Sequence, residues 1–286
     1  MMTRAKRARL VQAAGVTVTG FATVFVVGIA LFFLGLIFVR GVGAISWEFL
    51  TMPPRMGMRQ GGIHPVIVGT LLLTIGTAFF MLPIGIGAGI YLSEFAPKGR
   101  STRLIRLAIA NMAGVPSIVY GLFGLAVFVM TAGLGASIIA GSLTLACLSL
   151  PVVITATEEA LQQVPSDLRH ASLAVGASRL RTIGKVVLPA AAPGIVTGSI
   201  LALSRAAGET APIIFTAAAF SLPQLPDSPL SKVMALPYHI YVLATQIPRR
   251  PDDIIWGTAF VLVFGIGIVN MSAAMWRSVR RKRIRW

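Results

Sequence analysis

Two charged residues lie inside a long apolar stretch in the second half of the chain. Arg205 and Glu209 occur in LSRAAGETAPIIF, where every other residue is uncharged. An arginine in the hydrocarbon region of a bilayer costs at least about 2.5 kcal/mol, so it normally faces a cavity or a partner. Its planar guanidinium stays charged and holds an oxyanion through two parallel hydrogen bonds. We therefore expect Arg205 to contact an anion on a path across the membrane.

The surroundings of Arg205 add two polar groups at the same level. Pro193 precedes it by 12 residues, about 18 Å of helix, which places Arg205 near the middle of a core about 30 Å thick. Glu209 follows one turn later on nearly the same face. Pro212 lacks the N–H that would pair with the Gly208 carbonyl. The alternative is a structural ion pair within one helix, although Arg before Glu is the weaker order for such a pair.

The pair also predicts a preference among anions. A glutamate beside the guanidinium can accept a hydrogen bond from a phosphate oxygen that retains its proton. A fully deprotonated anion such as sulfate meets repulsion from the same carboxylate. The residues therefore favour a protonated oxyanion, and this selectivity is a hypothesis for Glu209.

A second pattern lies in the polar, basic segment 167–189, DLRHASLAVGASRLRTIGKVVLP, between two apolar runs. Pro165 and Ser166 can begin a short helix whose first turn holds Asp167, where the helix dipole favours an acid. Gly176 is placed to end that helix. One face, at i, i+3, i+4 and i+7, then carries Asp167, His170, Ala171 and Ala174. Small side chains on this face let another protein approach closely.

The spacing in this segment resembles the EAA loop of ABC importer permeases, which reads E-A-A, three residues, G, nine residues, I, one residue, L-P. The matching positions are His170, Ala171, Ser172, Gly176, Val186, Leu188 and Pro189. The resemblance implies a cytoplasmic coupling helix that docks on an ATPase subunit. His170 stands where the family has an acid, so a salt bridge from that position is not carried over. The alternative is an ordinary basic loop between two membrane helices.

Composition indicates a membrane protein. Of 286 residues, 56% are hydrophobic and the mean hydropathy is +0.83, which excludes an ordinary soluble domain. The net charge of +16 does not indicate nucleic-acid binding, because the basic residues border apolar runs. Gly184-Lys185 is followed by Val186, so there is no P-loop, and the three histidines form no metal-binding motif. We expect no cofactor or metal on this chain and no enzymatic activity of its own.

Six apolar runs are long enough to cross a bilayer. They lie near residues 16–39, 66–92, 104–130, 134–155, 190–218 and 254–276. The N-terminal run is longer than a signal-peptide core and has no clear cleavage site, so we expect it to be retained.

The basic residues predict the orientation of these spans. Eighteen lysines and arginines lie in the N-terminal segment, the second-to-third and fourth-to-fifth loops, and the C-terminal tail, against six in the other connections. Since cytoplasmic loops carry the excess of Lys and Arg, both termini and the EAA-like segment are expected to be cytoplasmic. This count does not use the EAA spacing.

Other segments resemble phosphate ABC permeases. They are ISWEFLTMPPRMGMRQGGIHPVIVGT, GTLLLTIG, LPIGIGAGIYLSEF and GVPSIVYGLFGLAVFV. RAAGETAP is similar to the R-A-x-G-E-T-A-P stretch of that branch, and the resemblance implies that Arg205, Glu209 and Thr210 line the substrate path. Most of the chain is covered, and it looks like a permease of the second, A type, within the binding-protein-dependent inner-membrane component family.

The resemblance implies an all-α membrane protein with six transmembrane helices, the type I ABC importer permease fold and a cytoplasmic EAA coupling helix. The expected organisation is a cytoplasmic N-terminus at 1–15, a first transmembrane helix at 16–39, a transmembrane domain of five helices at 66–276 with a coupling loop at about 156–189, and a basic cytoplasmic tail at 277–286. The location is the bacterial inner membrane. Implied partners are a homologous second permease, an ATPase dimer that carries ATP and Mg, and an extracytoplasmic phosphate-binding protein.

Two rival functions remain open at this stage. One is a permease for another oxyanion, such as phosphonate, molybdate or sulfate. The other is a membrane scaffold or phosphate sensor that does not transport.

Three smaller features also carry expectations. Pro83, Pro116, Pro151 and Pro212 are expected to interrupt spans. Gly85 and Gly89 form a small-xxx-small pair, which indicates either a helix crossing or subunit contact, or close packing within the chain. The segment 218–253 is rich in proline and contains YHIYVLATQ, which predicts a short helix near the membrane surface with Tyr238 and Tyr241 as anchors. That segment either contacts an extracytoplasmic binding protein or packs at the interface.

Overall fold

The computed structural model of the protein describes residues 4–248 and 251–283, and it is almost entirely helical. The α-helices are α1 (Arg4–Gly41), α2 (Trp47–Thr51), α3 (His64–Ile90), α4 (Arg100–Ala113), α5 (Ser117–Gly124), α6 (Ile138–Gln162), α7 (Ser166–Ala174), α8 (Arg179–Thr182), α9 (Leu188–Gly208), α10 (Ala211–Thr216), α11 (Leu236–Thr245) and α12 (Asp252–Arg283). Three π-helical turns extend α3, α5 and α8: Tyr91–Phe95, Leu125–Thr131 and Ile183–Val187.

Some of the charged residues used to predict the orientation lie outside the described part of the chain. The structure does not describe residues 1–3, 249–250 and 284–286, nor the side chains of residues 4–11, 276 and 278–283. The ends of the expected cytoplasmic N-terminus and basic tail are therefore partly outside the structure described here.

Within the described ranges, five helices are long and apolar enough to cross a membrane, and a bent pair raises the number to six. The five are Gln12–Ala44, His64–Phe95, Ile138–Gln162, Arg179–Gly208 and Asp252–Met275. They correspond to five of the six apolar runs in the sequence, with ends displaced by several residues. The multi-pass helical architecture expected from the sequence is confirmed.

The third apolar run was predicted to form one helix over 104–130, and this prediction is wrong. Two helices, α4 and α5, bend by 100° at the junction Gly114–Pro116. Pro116 cannot donate a backbone hydrogen bond and disfavours helical geometry at the residue before it. The Tyr120 hydroxyl donates to the Met112 carbonyl at 2.9 Å, so the bend is held by a contact between the two helices.

The fifth run, predicted over 190–218, is also broken. Its helix α9 ends at Gly208, and Glu209 has extended backbone angles, φ −73° and ψ 132°. The chain resumes as α10 with Pro212 in its first turn, where a missing N–H costs nothing. Pro83 and Pro151, by contrast, lie inside the continuous helices α3 and α6, so the expectation that they interrupt their spans is wrong.

The centre of the bundle is α6, which packs against both α3 and α9. A Cβ atom at Gly85 would lie 2.8 Å from Val153, and one at Gly89 would lie 2.6 Å from Thr157. Between α9 and α6, Gly194 approaches Ala160 in the same way. The pair of glycines in α3 therefore packs within this chain, which answers the choice that the sequence left open.

The C-terminal end of α1 packs against the N-terminal part of α12. Phe38 packs against Phe260 and Phe264, and the Arg40 guanidinium lies 5.1 Å from the Trp256 ring centroid. The preceding part of α1, residues 12–35, is exposed along its whole length.

The connections at that end form a compact cap over the bundle. A two-stranded antiparallel hairpin pairs Pro54–Arg55 with Gln60–Gly61, and Ala218 bridges Val233 in parallel. The predicted short helix is present as α11, with Tyr241 exposed and Tyr238 half-buried. It packs between α3 and α12, and its buried residues are Leu236, Pro237, His239, Val242 and Leu243.

Candidate functional site

Arg205 and Glu209 are brought together at the end of α9. The Arg205 Nε atom lies 3.4 Å from the Glu209 Oε1 atom, and the two side chains are 49% and 17% exposed. Glu209 is the first residue after the helix, so the pair spans a helix end and not a continuous turn. This contact is the ion pair that the sequence left open as the alternative to a substrate-path role, and the expectation that Glu209 continues an unbroken helix is wrong.

The Arg205 guanidinium keeps hydrogen-bonding capacity for a ligand. Only its Nε atom is engaged by a side chain among the described residues, so both terminal amino groups are free of such partners. These two groups form the fork that binds an oxyanion through paired hydrogen bonds. The site can therefore accept an anion without first breaking the contact with Glu209.

The orientation of α9 decides which way the guanidinium faces. The buried stripe of α9 is Ala191, Ile195, Ser199, Ala202 and Ala206, which faces the bundle. Arg205 flanks this stripe and is exposed, as are Leu201 and Gly208. An exposed arginine on a membrane helix needs a polar partner or an aqueous path, because lipid offers neither.

Glu209 and Thr210 sit between that exposed face and the interior. Glu209 borders a narrow internal cavity together with Thr70, Thr74 and Ala235. Thr210 is the residue that directly precedes α10, and it is half-buried. Helix α5 packs directly on this break, where a Cβ at Gly121 would lie 3.0 Å from the Ala211 carbonyl oxygen. The break is thus enclosed by protein on one side and open at Arg205.

A larger cavity lies on the other side of α9 and is chemically unlike an anion site. Its volume is about 370 Å³, and it opens between α3, α9 and α12. Its walls are mostly aliphatic, with Leu71, Leu203, Val261 and Ile266 among them. Among the described residues, this cavity has no charged residue in its lining, whereas Arg205 lies on another face of α9.

The predicted coupling segment contains the expected short helix. α7 runs Ser166–Ala174, holds Asp167 in its first turn, and is followed by Gly176 at φ +84°. That φ is in the left-handed region that glycine adopts most easily at a helix end. Asp167, His170, Ala171 and Ala174 are all exposed on one face, as the spacing predicts.

The remaining residues of the pattern anchor α7 to the rest of the chain. The Ser172 hydroxyl lies 2.9 Å from the Thr182 hydroxyl, which ties α7 to α8. Leu188 packs against the buried cluster of Leu161, Val187 and Ile195, and Pro189 is in the first turn of α9. The pattern therefore divides into an exposed face and a set of anchoring positions.

Sequence reasoning missed one residue at this end of the molecule. Glu94, in the π-helical turn after α3, accepts a hydrogen bond from Arg169 of α7 at 2.9 Å. Arg169 and Arg179 were used only to predict orientation. A single acid directly after a long apolar run, in YLSEF, was the available signal, because such an acid at a helix end needs a cationic partner when it is buried.

The fold and the two sites define a membrane permease subunit of the type I ABC importer class. The chain belongs to the family described as "Binding-protein-dependent transport system inner membrane component", whose model matches residues 81–285.

Curated relatives cover nearly the whole chain. A probable ABC transporter permease protein of Bacillus subtilis, YqgI, is 35% identical over 89% of this chain and 90% of that protein. Phosphate transport system permease protein PstA 1 of Mycobacterium tuberculosis is 34% identical, with 94% and 89% covered. Phosphate transport system permease protein PstA of Xylella fastidiosa is 30% identical, with 94% and 93% covered.

Solved structures share the fold. The MetNI methionine ABC transporter in an inward-facing conformation matches with a TM-score of 0.61 at 20% identity, over 75% of this chain and 94% of that chain. A bacterial ABC transporter involved in the import of the acidic polysaccharide alginate also gives 0.61, at 13% identity, over 96% and 99%. At these identities the likeness concerns the fold alone.

Proposed function

We propose that this chain is the permease subunit of an ATP-driven phosphate importer and forms half of the translocation path. The observation that carries the proposal is its 30–37% identity, over most of its length, to proteins named as phosphate transport system permeases. The open guanidinium fork of Arg205 supports it independently, since an oxyanion is the ligand that such a fork holds best. The relatives do not favour the rival oxyanions or a non-transporting scaffold.

Arg205, Glu209 and Thr210 are the proposed substrate-path residues. Arg205 offers its two terminal amino groups to two phosphate oxygens. Glu209 stays paired with the Arg205 Nε atom and accepts a hydrogen bond from a protonated phosphate oxygen. The Thr210 hydroxyl stands beside them at the start of α10 and donates to a third oxygen. A fully deprotonated dianion can bind the Arg205 amino groups, but it has no proton with which to donate a hydrogen bond to Glu209.

The chain works with partners in this proposal. A homologous second permease supplies the other half of the path, and it covers the exposed face of α9. A dimer of ATPase subunits carries ATP and Mg, and this chain needs no cofactor or metal of its own. An extracytoplasmic phosphate-binding protein delivers the anion, and nucleic acid has no part in the system.

The proposed setting is the bacterial inner membrane, with both termini in the cytoplasm. The excess of basic residues supports this orientation, and α7 lies on the same side as the loops that carry the excess. The exposed face of α7, formed by Asp167, His170, Ala171 and Ala174, meets the ATPase subunit. Ser172, Gly176, Leu188 and Pro189 hold that face in position. Closure of the ATPase dimer then moves α7, and the spans attached to α7 expose Arg205 to alternate sides of the membrane.

The test is anion-dependent transport by the reconstituted complex. The four kinds of subunit are placed in proteoliposomes, and ATP-dependent uptake of labelled phosphate is measured with sulfate, molybdate or a phosphonate as competitor. We expect uptake of phosphate that none of these suppresses at equal concentration. Absence of phosphate uptake, together with ATP-dependent uptake of one of the other anions in labelled form, would assign the permease to that anion. A chain that copurifies with no ATPase would be a scaffold or sensor and would contradict the proposal.

A further inference from the structure

Three arginines from different elements converge on the π-helical turn Tyr91–Phe95. Arg106 of α4 donates to the Leu92 carbonyl at 2.9 Å. Arg169 of α7 pairs with the Glu94 carboxylate at 2.9 Å. Arg179 of α8 donates to the Glu94 carbonyl, and its guanidinium lies 5.3 Å from the Phe95 ring centroid. The turn at the end of α3 is therefore held by the coupling segment twice and by α4 once.

Arg169 makes more hydrogen bonds than the other two arginines. Besides Glu94, its guanidinium donates to the Leu161 carbonyl at 2.8 Å and the Val164 carbonyl at 2.6 Å. The Leu161 carbonyl is in the last turn of α6 and also accepts from the Val164 N–H at 3.2 Å, and the Val164 carbonyl lies just after the helix. One side chain of α7 thus binds the ends of α3 and α6 together.

The Arg169–Glu94 ion pair is largely buried, which makes it costly to separate. The Glu94 side chain is 10% exposed and that of Arg169 is 23% exposed, so water cannot readily replace either partner in the ion pair. Breaking one partner of such a pair leaves an uncompensated charge, which is strongly unfavourable. α7 itself has no buried residue, and its apolar contact with the bundle is through the partly buried Leu168. The Arg169–Glu94 contact is therefore the principal polar link between α7 and α3.

We propose that Glu94 is a positioning residue that transmits movement of α7 directly to α3. The inference rests on the proposed function, because it assigns α7 to the ATPase interface. Movement of α7 reaches α9 through the covalent chain, and it reaches α3 only through contacts between side chains and turns. We call the contacts of Arg169 with Glu94 and with the Leu161 and Val164 carbonyls the Arg169 clamp. Because α3 packs along α6 and the clamp binds the ends of both helices, α3 and α6 follow α7 as one unit. Without the clamp, the ATPase moves α9 and leaves α3 behind.

The test compares three variants in the complete reconstituted complex. Glu94→Gln removes the charge and keeps the shape, Glu94→Asp keeps the charge, and Glu158→Gln is the matched control. Glu158 pairs with Arg106 at 2.7 Å and is 13% exposed, but it does not contact α7. The readouts are subunit copurification, ATP hydrolysis and the number of phosphate ions taken up per ATP hydrolysed.

We expect Glu94→Gln to keep ATP hydrolysis within about twofold of the wild type and to lower the phosphate-to-ATP ratio about tenfold, since the unpaired arginine disturbs the clamp. Glu94→Asp should recover much of that ratio, and Glu158→Gln should leave it near the wild-type value. A wild-type ratio in Glu94→Gln, or an equal loss in Glu158→Gln, would overturn the proposal. If the wild-type complex transports no phosphate, it is the proposed function that fails, and the same ratio can be measured with the anion it does transport.

A second measurement does not depend on the stability of any charge variant. Spin labels at Tyr91 and Val175, both exposed, report the distance between the turn and the end of α7 in a Cys147→Ala background. We expect this distance to stay the same with and without ATP. A change as large as one helical turn, about 5 Å, would show that α7 moves independently of α3 and would overturn the inference.

Discussion

The Arg205 Nε atom lies 3.4 Å from a carboxylate oxygen of Glu209 across the end of a helix, and this contact leaves both terminal amino groups of the arginine open. A continuous helix would have paired the same residues as an ordinary i,i+4 ion pair. The break at Glu209 instead turns the carboxylate toward the interior and leaves the guanidinium on the exposed face. The contact therefore fixes one nitrogen of the arginine and leaves the other two exposed to a ligand.

Neutralising Glu209 should change which anions are transported. Glu209→Gln removes the charge that repels a fully deprotonated anion and keeps a hydrogen-bonding oxygen. We expect the preference for phosphate over sulfate to fall by about tenfold, since the loss of one like-charge contact is worth on the order of 1.4 kcal/mol. Competition of sulfate against labelled phosphate uptake measures the change. Unchanged uptake with unchanged preference would remove Glu209 from the selectivity mechanism.

An acidic residue on the exposed face of α7 should weaken the ATPase contact. Ala171→Asp adds a charge and volume where the proposed interface requires close approach, and burying an unpaired carboxylate is unfavourable. We expect the amount of copurifying ATPase and the rate of uptake both to fall at least about tenfold. Gln163→Asp, at an exposed position just before α7, is the matched control and should retain both. Equal retention by the two variants would place the ATPase contact elsewhere.

Two glycines of α3, separated by one residue, should respond oppositely to the same substitution. A Cβ at Gly89 would meet Thr157 at 2.6 Å and the Ile154 carbonyl at 2.9 Å, whereas a Cβ at Gly87 would meet nothing within 4 Å. Gly89→Ala should therefore destabilise the subunit by about 1–3 kcal/mol through overpacking. Gly87→Ala should be neutral or slightly stabilising, because alanine favours the helix. Thermal unfolding of the purified subunit in detergent compares them, and equal melting temperatures would contradict the packing of α3 on α6.

The buried His239 should make stability depend on pH. It lies in α11, is 1% exposed, and neither ring nitrogen has a hydrogen-bond partner among the described residues. Burial lowers its pKa from 6.5 to about 4. The unfolded chain therefore binds the proton more tightly, and stability falls as the pH drops below about 6.5.

This loss should amount to about 2 kcal/mol between pH 7 and pH 5, because each unit of pKa difference is worth about 1.4 kcal/mol. His239→Leu should keep the fold and remove most of the acid-dependent loss in melting temperature. It should also raise stability at pH 7, since a buried N–H without a partner is unfavourable. An identical pH dependence in the variant would mean that His239 is not the responsible group.

The sequence predicted the elements whose signals are local. Asp167 in the first turn of α7, Gly176 after its end and the exposed face between them all follow from helix geometry and from turn chemistry. The apolar runs predicted the spans for the same reason. Arg205 and Glu209 were found because a charge in an apolar run has few explanations.

What the sequence did not predict depends on contacts between distant elements. The bend between α4 and α5 needs the junction at Pro116 together with the Tyr120–Met112 contact, whereas Pro83 and Pro151 lie inside continuous helices packed in the bundle. The pairing of Glu94 with Arg169 joins residues 75 positions apart, so no local pattern announces it. For the same reason, YHIYVLATQ predicted a helix but not its burial between α3 and α12.

The most direct test of the account is ATP-driven uptake of labelled phosphate by proteoliposomes that contain the complete complex with Arg205→Gln. The variant keeps a polar side chain, shorter than that of arginine, and removes the charged fork. We predict that its ATPase still copurifies and still hydrolyses ATP, while phosphate uptake falls by about two orders of magnitude, the effect expected when a bidentate charge contact of about 3 kcal/mol is lost. Phosphate uptake at the wild-type rate would contradict the claim that the anion passes Arg205.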